Sequence, residues 1–123
     1  MSEENPKGLK APLVVNENDL QEHKFANVLV KELFAGDSPS ISVARITLDG
    51  ENEANKNTGS DMFYYVVEGE GKFIIDGQTH EVSAGSLVCI PKGITYQDMG
   101  KLTMISLALP KFNQEDVVFV ENK

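Results

Sequence analysis

Apolar residues along this chain come in short runs rich in branched and aromatic side chains, each closed by a turn signal before a helical period can develop. The runs fall at residues 13–15, 28–34, 41–48, 63–67, 72–75, 81–83, 87–90, 102–109 and 117–120, and their composition suits a pleated, half-buried surface. Between them lie Gly36-Asp37-Ser38-Pro39, Asp49-Gly50, Glu68-Gly69-Glu70-Gly71, Asp76-Gly77, Ala84-Gly85, Pro91-Lys92-Gly93 and Pro110, all built from residues that favour turns. Asp76-Gly77 is the sharpest of these, because a two-residue hairpin needs positive φ at both central positions, and it predicts a hairpin joining 72–75 to 78–83. Gly69 and Gly71 predict a second tight reversal. Residues 19–25 are expected to form one or two helical turns capped by Asn18 or Asp19, too short to stand without packing. Many short strands without a long amphipathic helix predict an all-β barrel or sandwich. The expected organisation is one domain over 11–123 behind a frayed polar N-terminus at 1–10.

Two stretches then carry a family resemblance. From Gly50 the spacing runs through positions 56, 58 and 62 to Gly69, and from Gly85 through Pro91, Gly93 and position 96 to position 100. This resembles the two motifs of the cupin superfamily, especially small single-domain cupins of the cupin-2 type. Phe63-Tyr64-Tyr65-Val66-Val67-Glu68-Gly69 and Ala84-Gly85-Ser86-Leu87-Val88-Cys89-Ile90-Pro91-Lys92-Gly93 are similar to the family's local wording. The resemblance implies a double-stranded β-helix, a jelly-roll-like β-barrel, with core motifs at 50–69 and 85–100. It also implies a metal held by three histidines and a glutamate, donors suited to iron, manganese, nickel or zinc. Lys56, Thr58, Met62 and Tyr96 stand at those four positions by this alignment, and Gly100 replaces the family's asparagine. A cation, a weak neutral oxygen, a soft thioether and a lone phenol do not build that site. The expectation is therefore no metal and no cofactor, with an atypical site of His80 with Asp61, Glu51 and Glu53 as the alternative.

With Met62 pointing inward, strand alternation puts Tyr64 and Val66 inside, and Phe63, Tyr65 and Val67 outside. Tyr96 then faces Met62 across the interior. Lys56, Thr58, Met62, Tyr64 and Tyr96 form the expected ligand-binding set, an apolar pocket with polar handles suited to a small organic molecule of sugar or carboxylate type. The alternative within the fold is a metal-independent isomerase or epimerase using Tyr96 and His80 as an acid–base pair. The plain reading of these residues is that they plug the hollow, and of His80 that it is a half-buried strand residue. Asn55 and Asn57 flank Lys56 as in an exposed loop, which argues against a Schiff-base lysine. Cys89, on an apolar strand, is expected to pack as a small hydrophobe.

Charge narrows the partners. Eleven basic against nineteen acidic residues give a formal charge of −8, which repels phosphate backbones and anionic lipid surfaces, so neither nucleic acid nor a membrane is an expected partner. Arg45 is the lone arginine. No stretch approaches the roughly 20 apolar residues of a membrane helix. A single cysteine and no apolar leader lead to the expectation of a cytoplasmic protein. Strand 63–67 is apolar on both faces, so its outer side requires cover from residues 13–34 or from a second subunit in a homodimer.

Overall fold

A computed structural model describes residues 11–36 and 38–120; the expectation for residues 1–10 lies outside them. The strands are β1 (His23–Phe25), β2 (Val28–Phe34), β3 (Ser42–Glu51), β4 (Asn55–Asn57), β5 (Asp61–Ile75), β6 (Gln78–Ser83), β7 (Leu87–Ile90), β8 (Tyr96–Leu109) and β9 (Val117–Phe119). Single 3₁₀ turns at Glu17–Asp19 and Gln114–Asp116 complete the elements. All nine strands join one antiparallel sheet, and the all-β cupin-type fold expected from the sequence is the fold observed. β8 is its spine: β3 lies along one edge in the register Ser42 to Ala108, and β5 along the other in the register Asp61 to Leu109.

Period-two alternation sorts the faces. Met62, Tyr64 and Val66 of β5 turn inward with Val88 and Ile90 of β7, Leu102 and Met104 of β8, and Ile46 and Leu48 of β3. These form a continuous core, while Tyr65 and Val67 keep nearly half of their surface outside. The curl of the sheet depends on glycine. Gly50, Gly100 and Gly71 are register partners on β3, β8 and β5, with φ of 121° at Gly50 and 125° at Gly100. A Cβ on Gly100 would lie 2.5 Å from the Gly71 Cα and 2.6 Å from the Glu70 carbonyl oxygen, so β5 and β8 approach here only without side chains.

The Asp76-Gly77 hairpin forms as expected, with φ of 50° and 85°. Elsewhere tertiary pairing overrides local signals. Gly69 and Gly71 make no reversal: β5 runs through both and stays paired with β8, the break being a bulge between Val66 and Glu68. Residues 13–15 find no neighbouring strand and remain unpaired, with Val14 97% exposed. The helical turn starts earlier than expected, because the Asn16 side chain accepts a hydrogen bond from the Asn18 N–H and so caps Glu17–Asp19. Residues 23–25 instead pair with 28–30 in a hairpin turning at Ala26 (φ 55°). Cys89 and His80, expected to be buried and half-buried, are both exposed: Cys89 is on the outer face of β7, and His80 shares the face of Val82 but lies towards the exposed end of β6.

Candidate functional site

The curled sheet encloses a cavity of about 620 Å³. Its deep wall is buried and its rim, including His23, Glu32, Asn113, Gln114 and Phe119, is exposed, so the cavity reaches solvent between the β1–β2 hairpin and the C-terminal segment. At the rim Phe25 meets Phe112 edge-on at 5.7 Å and Phe119 at 6.4 Å. These rings give the entrance an apolar collar.

Of the five residues expected to bind ligand, Met62, Tyr64 and Tyr96 line the cavity and Lys56 and Thr58 do not. β4 explains the difference. Asn55 and Asn57 are its buried positions, so Lys56 between them points to the other face, beside Val118 of β9. The exposed Thr58 gives its hydroxyl hydrogen to the Asp116 carbonyl at 2.9 Å. The first motif is shifted by one residue, which on a strand moves every side chain to the opposite face. Its inward positions are Asn55, Asn57 and Met62.

Asn57 is occupied structurally: its Oδ1 accepts from the Gly59 and Ser60 N–H groups at 2.9 and 2.8 Å, and its Nδ2 reaches the Met62 sulfur at 3.6 Å. Asn55 donates to the Glu53 carbonyl at 2.9 Å. Two carboxamides, a thioether and a phenol are poor partners for the metals that the fold family holds, and no group of three His, Cys, Asp or Glu side chains converges among the described residues. The donor set does not fit such an ion. His80, Asp61, Glu51 and Glu53 do not line the cavity either.

The buried ionisable groups of the deep wall lie in two pairs, one of tyrosines and one of Asp98 with Asn52. The Tyr64 and Tyr96 hydroxyls share a hydrogen bond, with Phe73 packed against both rings at 5.4 and 6.3 Å. Burial holds both phenols well above the ordinary tyrosine range, and the Asp98 charge pushes in the same direction. Beside them Asp98, 2% exposed, accepts from the Asn52 Nδ2 at 3.2 Å. Burial raises its carboxyl above the ordinary aspartate range, against the lowering effect of the Asn52 and backbone hydrogen bonds. Asn52 is itself held by the Asn27 N–H at 3.2 Å, which ties the β1–β2 turn to the cavity wall. Neither Asp98 nor Asn52 was expected from the sequence. The available signal was alternation, because Asp98 follows the inward Tyr96 by two residues on β8.

A curled antiparallel sheet around a buried polar hollow, framed by glycines at the strand crossings, defines a small cupin barrel. A cupin-domain family model, Cupin_2, matches residues 44–97, and the chain has the cupin fold of its structural neighbours. It is 24% identical over 98 residues to an uncharacterised protein of Methanocaldococcus jannaschii, covering 76% of this chain and 78% of that one. Among solved structures it resembles Streptomyces PAC13, a nucleoside dehydratase also solved as variants with uridine. A variant structure superposes with TM-score 0.82 and 21% identity over 90% of this chain and 92% of that one. KdgF from Halomonas sp. (TM-score 0.76, 14% identity, 85% and 99% coverage) and ectoine synthase from P. lautus (0.76, 12%, 91% and 92%) share the fold.

Proposed function

We propose that this cupin binds a small, neutral, polyhydroxylated organic molecule of the sugar or nucleoside type in its barrel cavity. The observation that carries this reading is the set Asn52, Asp98, Tyr64 and Tyr96, buried together on the wall of a hollow whose lining mixes apolar side chains with further neutral polar ones such as Asn55, Asn57 and Ser106. Carboxyl, carboxamide and phenol groups exchange hydrogen bonds with hydroxyls, and the apolar collar suits the carbon faces of a ring. The carboxylate alternative loses its main support with Lys56 outside the cavity, since the buried wall carries the acidic group Asp98 and the cation lining the cavity is the half-buried Lys111. The binding of uridine by PAC13, in a barrel of the same fold, is consistent with the size and polarity of such a ligand.

Thermal-shift titration with uridine, D-ribose and D-glucose, against acetate and citrate, tests the reading. A neutral polyol is expected to raise the melting temperature, at 100 times its Kd by the equivalent of about 2.7 kcal/mol. Tyr96→Phe is expected to weaken that ligand about tenfold, as loss of one buried hydrogen bond requires, and Lys56→Ala to leave it unchanged. Stabilisation by the acids alone, or a Tyr96→Phe variant with full affinity, would remove the proposal.

We also infer a homodimer. Tyr65, Val67 and Leu87 are 46%, 49% and 59% exposed on the adjoining strands β5 and β7, and no described residue of 13–34 covers them. A second copy meets the need for cover.

A further inference from the structure

We propose that the cavity is catalytic, with Asp98 taking a proton from the carbon beside a carbonyl group of a small neutral hydroxy-carbonyl compound while the Tyr96 hydroxyl hydrogen-bonds the oxygen that becomes negative. This rests on the cavity being a site for a neutral polyhydroxyl molecule and carries it from binding to chemistry.

The placement of Asp98 is hard to explain by structure alone. An asparagine there would keep the Asn52 hydrogen bond at 3.2 Å without burying an ionisable group. Neither described ion pair, His23 with Glu32 or Arg45 with Glu17, involves Asp98. A buried carboxyl without a cation costs the fold free energy, and such costs concentrate where a proton must be moved. Tyr96 lies two residues earlier on β8 and so shares its face, and Tyr64 reaches in from β5 to hydrogen-bond Tyr96. Burial keeps both phenols protonated while making Asp98 a stronger base than a surface aspartate. Base and hydrogen-bond donor therefore face one cavity with their proton affinities set well apart, the pattern that divides acid and base roles between neighbours. Besides Asp98 and these two tyrosines, the ionisable groups lining the cavity are His23 and Glu32 at the exposed rim and the half-buried Lys111.

The step balances without an added reagent. The C–H electron pair becomes the carbon–carbon double bond, the carbonyl π pair moves onto oxygen under the Tyr96 hydrogen bond, and the proton rests on Asp98. Its return to the same carbon after exchange with water regenerates the compound with solvent hydrogen in place. Delivery to the neighbouring carbon, with that compound's hydroxyl proton passing to the first oxygen, gives the isomeric hydroxy-carbonyl. Asp98 thus takes the role that sequence alone offered to His80, which lies outside the cavity.

The test is deuterium incorporation from D₂O, followed by proton NMR, into dihydroxyacetone, D-glyceraldehyde and D-ribulose. Wild-type protein is expected to exchange at least one of them more than about tenfold faster than buffer. Asp98→Asn should lower that rate by about 100-fold or more, and Tyr96→Phe by about 10-fold to 100-fold. The rise of the wild-type rate with pH, as Asp98 ionises, should be missing from Asp98→Asn, while its melting temperature is kept or raised. No exchange above buffer with all three probes, or Asp98→Asn exchanging as fast as wild type, overturns the proposal. Parallel thermal shifts with uridine and D-ribose separate the readings: stabilisation without exchange defeats catalysis alone, and loss of both defeats the binding site as well.

Discussion

Asp98 is the residue at which fold and function pull apart. Its carboxyl titrates higher in the folded chain than in the unfolded one because burial disfavours its charge. The folded state therefore holds the extra proton over the window between the two values, and stability falls as pH rises through that window. Asp98→Asn removes this dependence. It is expected to melt within error of wild type near pH 4 and on the order of a few degrees higher at pH 7 to 8, measured by calorimetry across pH. A wild-type protein as stable as the variant at pH 8 would mean that the carboxyl is well solvated. The same scale holds the largest departure from the sequence reading. Lys56 and Thr58 were counted inward from a motif of the right length, but Asn55 and Asn57 fill those positions. Motif spacing tolerates a slip of one residue; a side chain on a strand does not.

At the scale of elements, the long strands β3, β5 and β8 decide the curvature, and glycine lets them cross. Gly100 stands at φ 125° between Gly50 and Gly71, with backbone atoms where a Cβ would project. Gly100→Ala is expected to cost about 3 kcal/mol, from the positive φ together with the contact, and to lower the urea midpoint accordingly. Gly77→Ala, at φ 85° but with open space around it, should cost less. A Gly100→Ala midpoint equal to wild type would show that the crossing can open. The Asp76-Gly77 hairpin was legible in sequence because its requirement is local. The role of Gly69 and Gly71 was not, since two glycines in sequence read as a turn until β8 is known to lie against them.

For the whole molecule, the unresolved question of sequence was what covers β5. The described chain leaves Tyr65, Val67 and Leu87 open. Sedimentation equilibrium is expected to give twice the mass of one chain for wild type and a single chain for Leu87→Glu, because a buried unpaired carboxylate at the interface costs several kcal/mol. Wild-type protein sedimenting as one chain would remove the dimer. No helix among the described residues is long and apolar enough to cross a membrane.

Sequence by itself determined the class of fold and the inward face of β5 through Met62, Tyr64 and Val66. Alternation, turn chemistry and residue identity are local properties that need no partner. Only the tertiary structure decided that Asn55 and Asn57 face inward, that His80 lies outside the cavity and that Asp98 joins the tyrosine pair inside it. Strand register and sheet curl bring distant residues together, and both are fixed by backbone pairing across the sheet, which no single stretch of sequence contains.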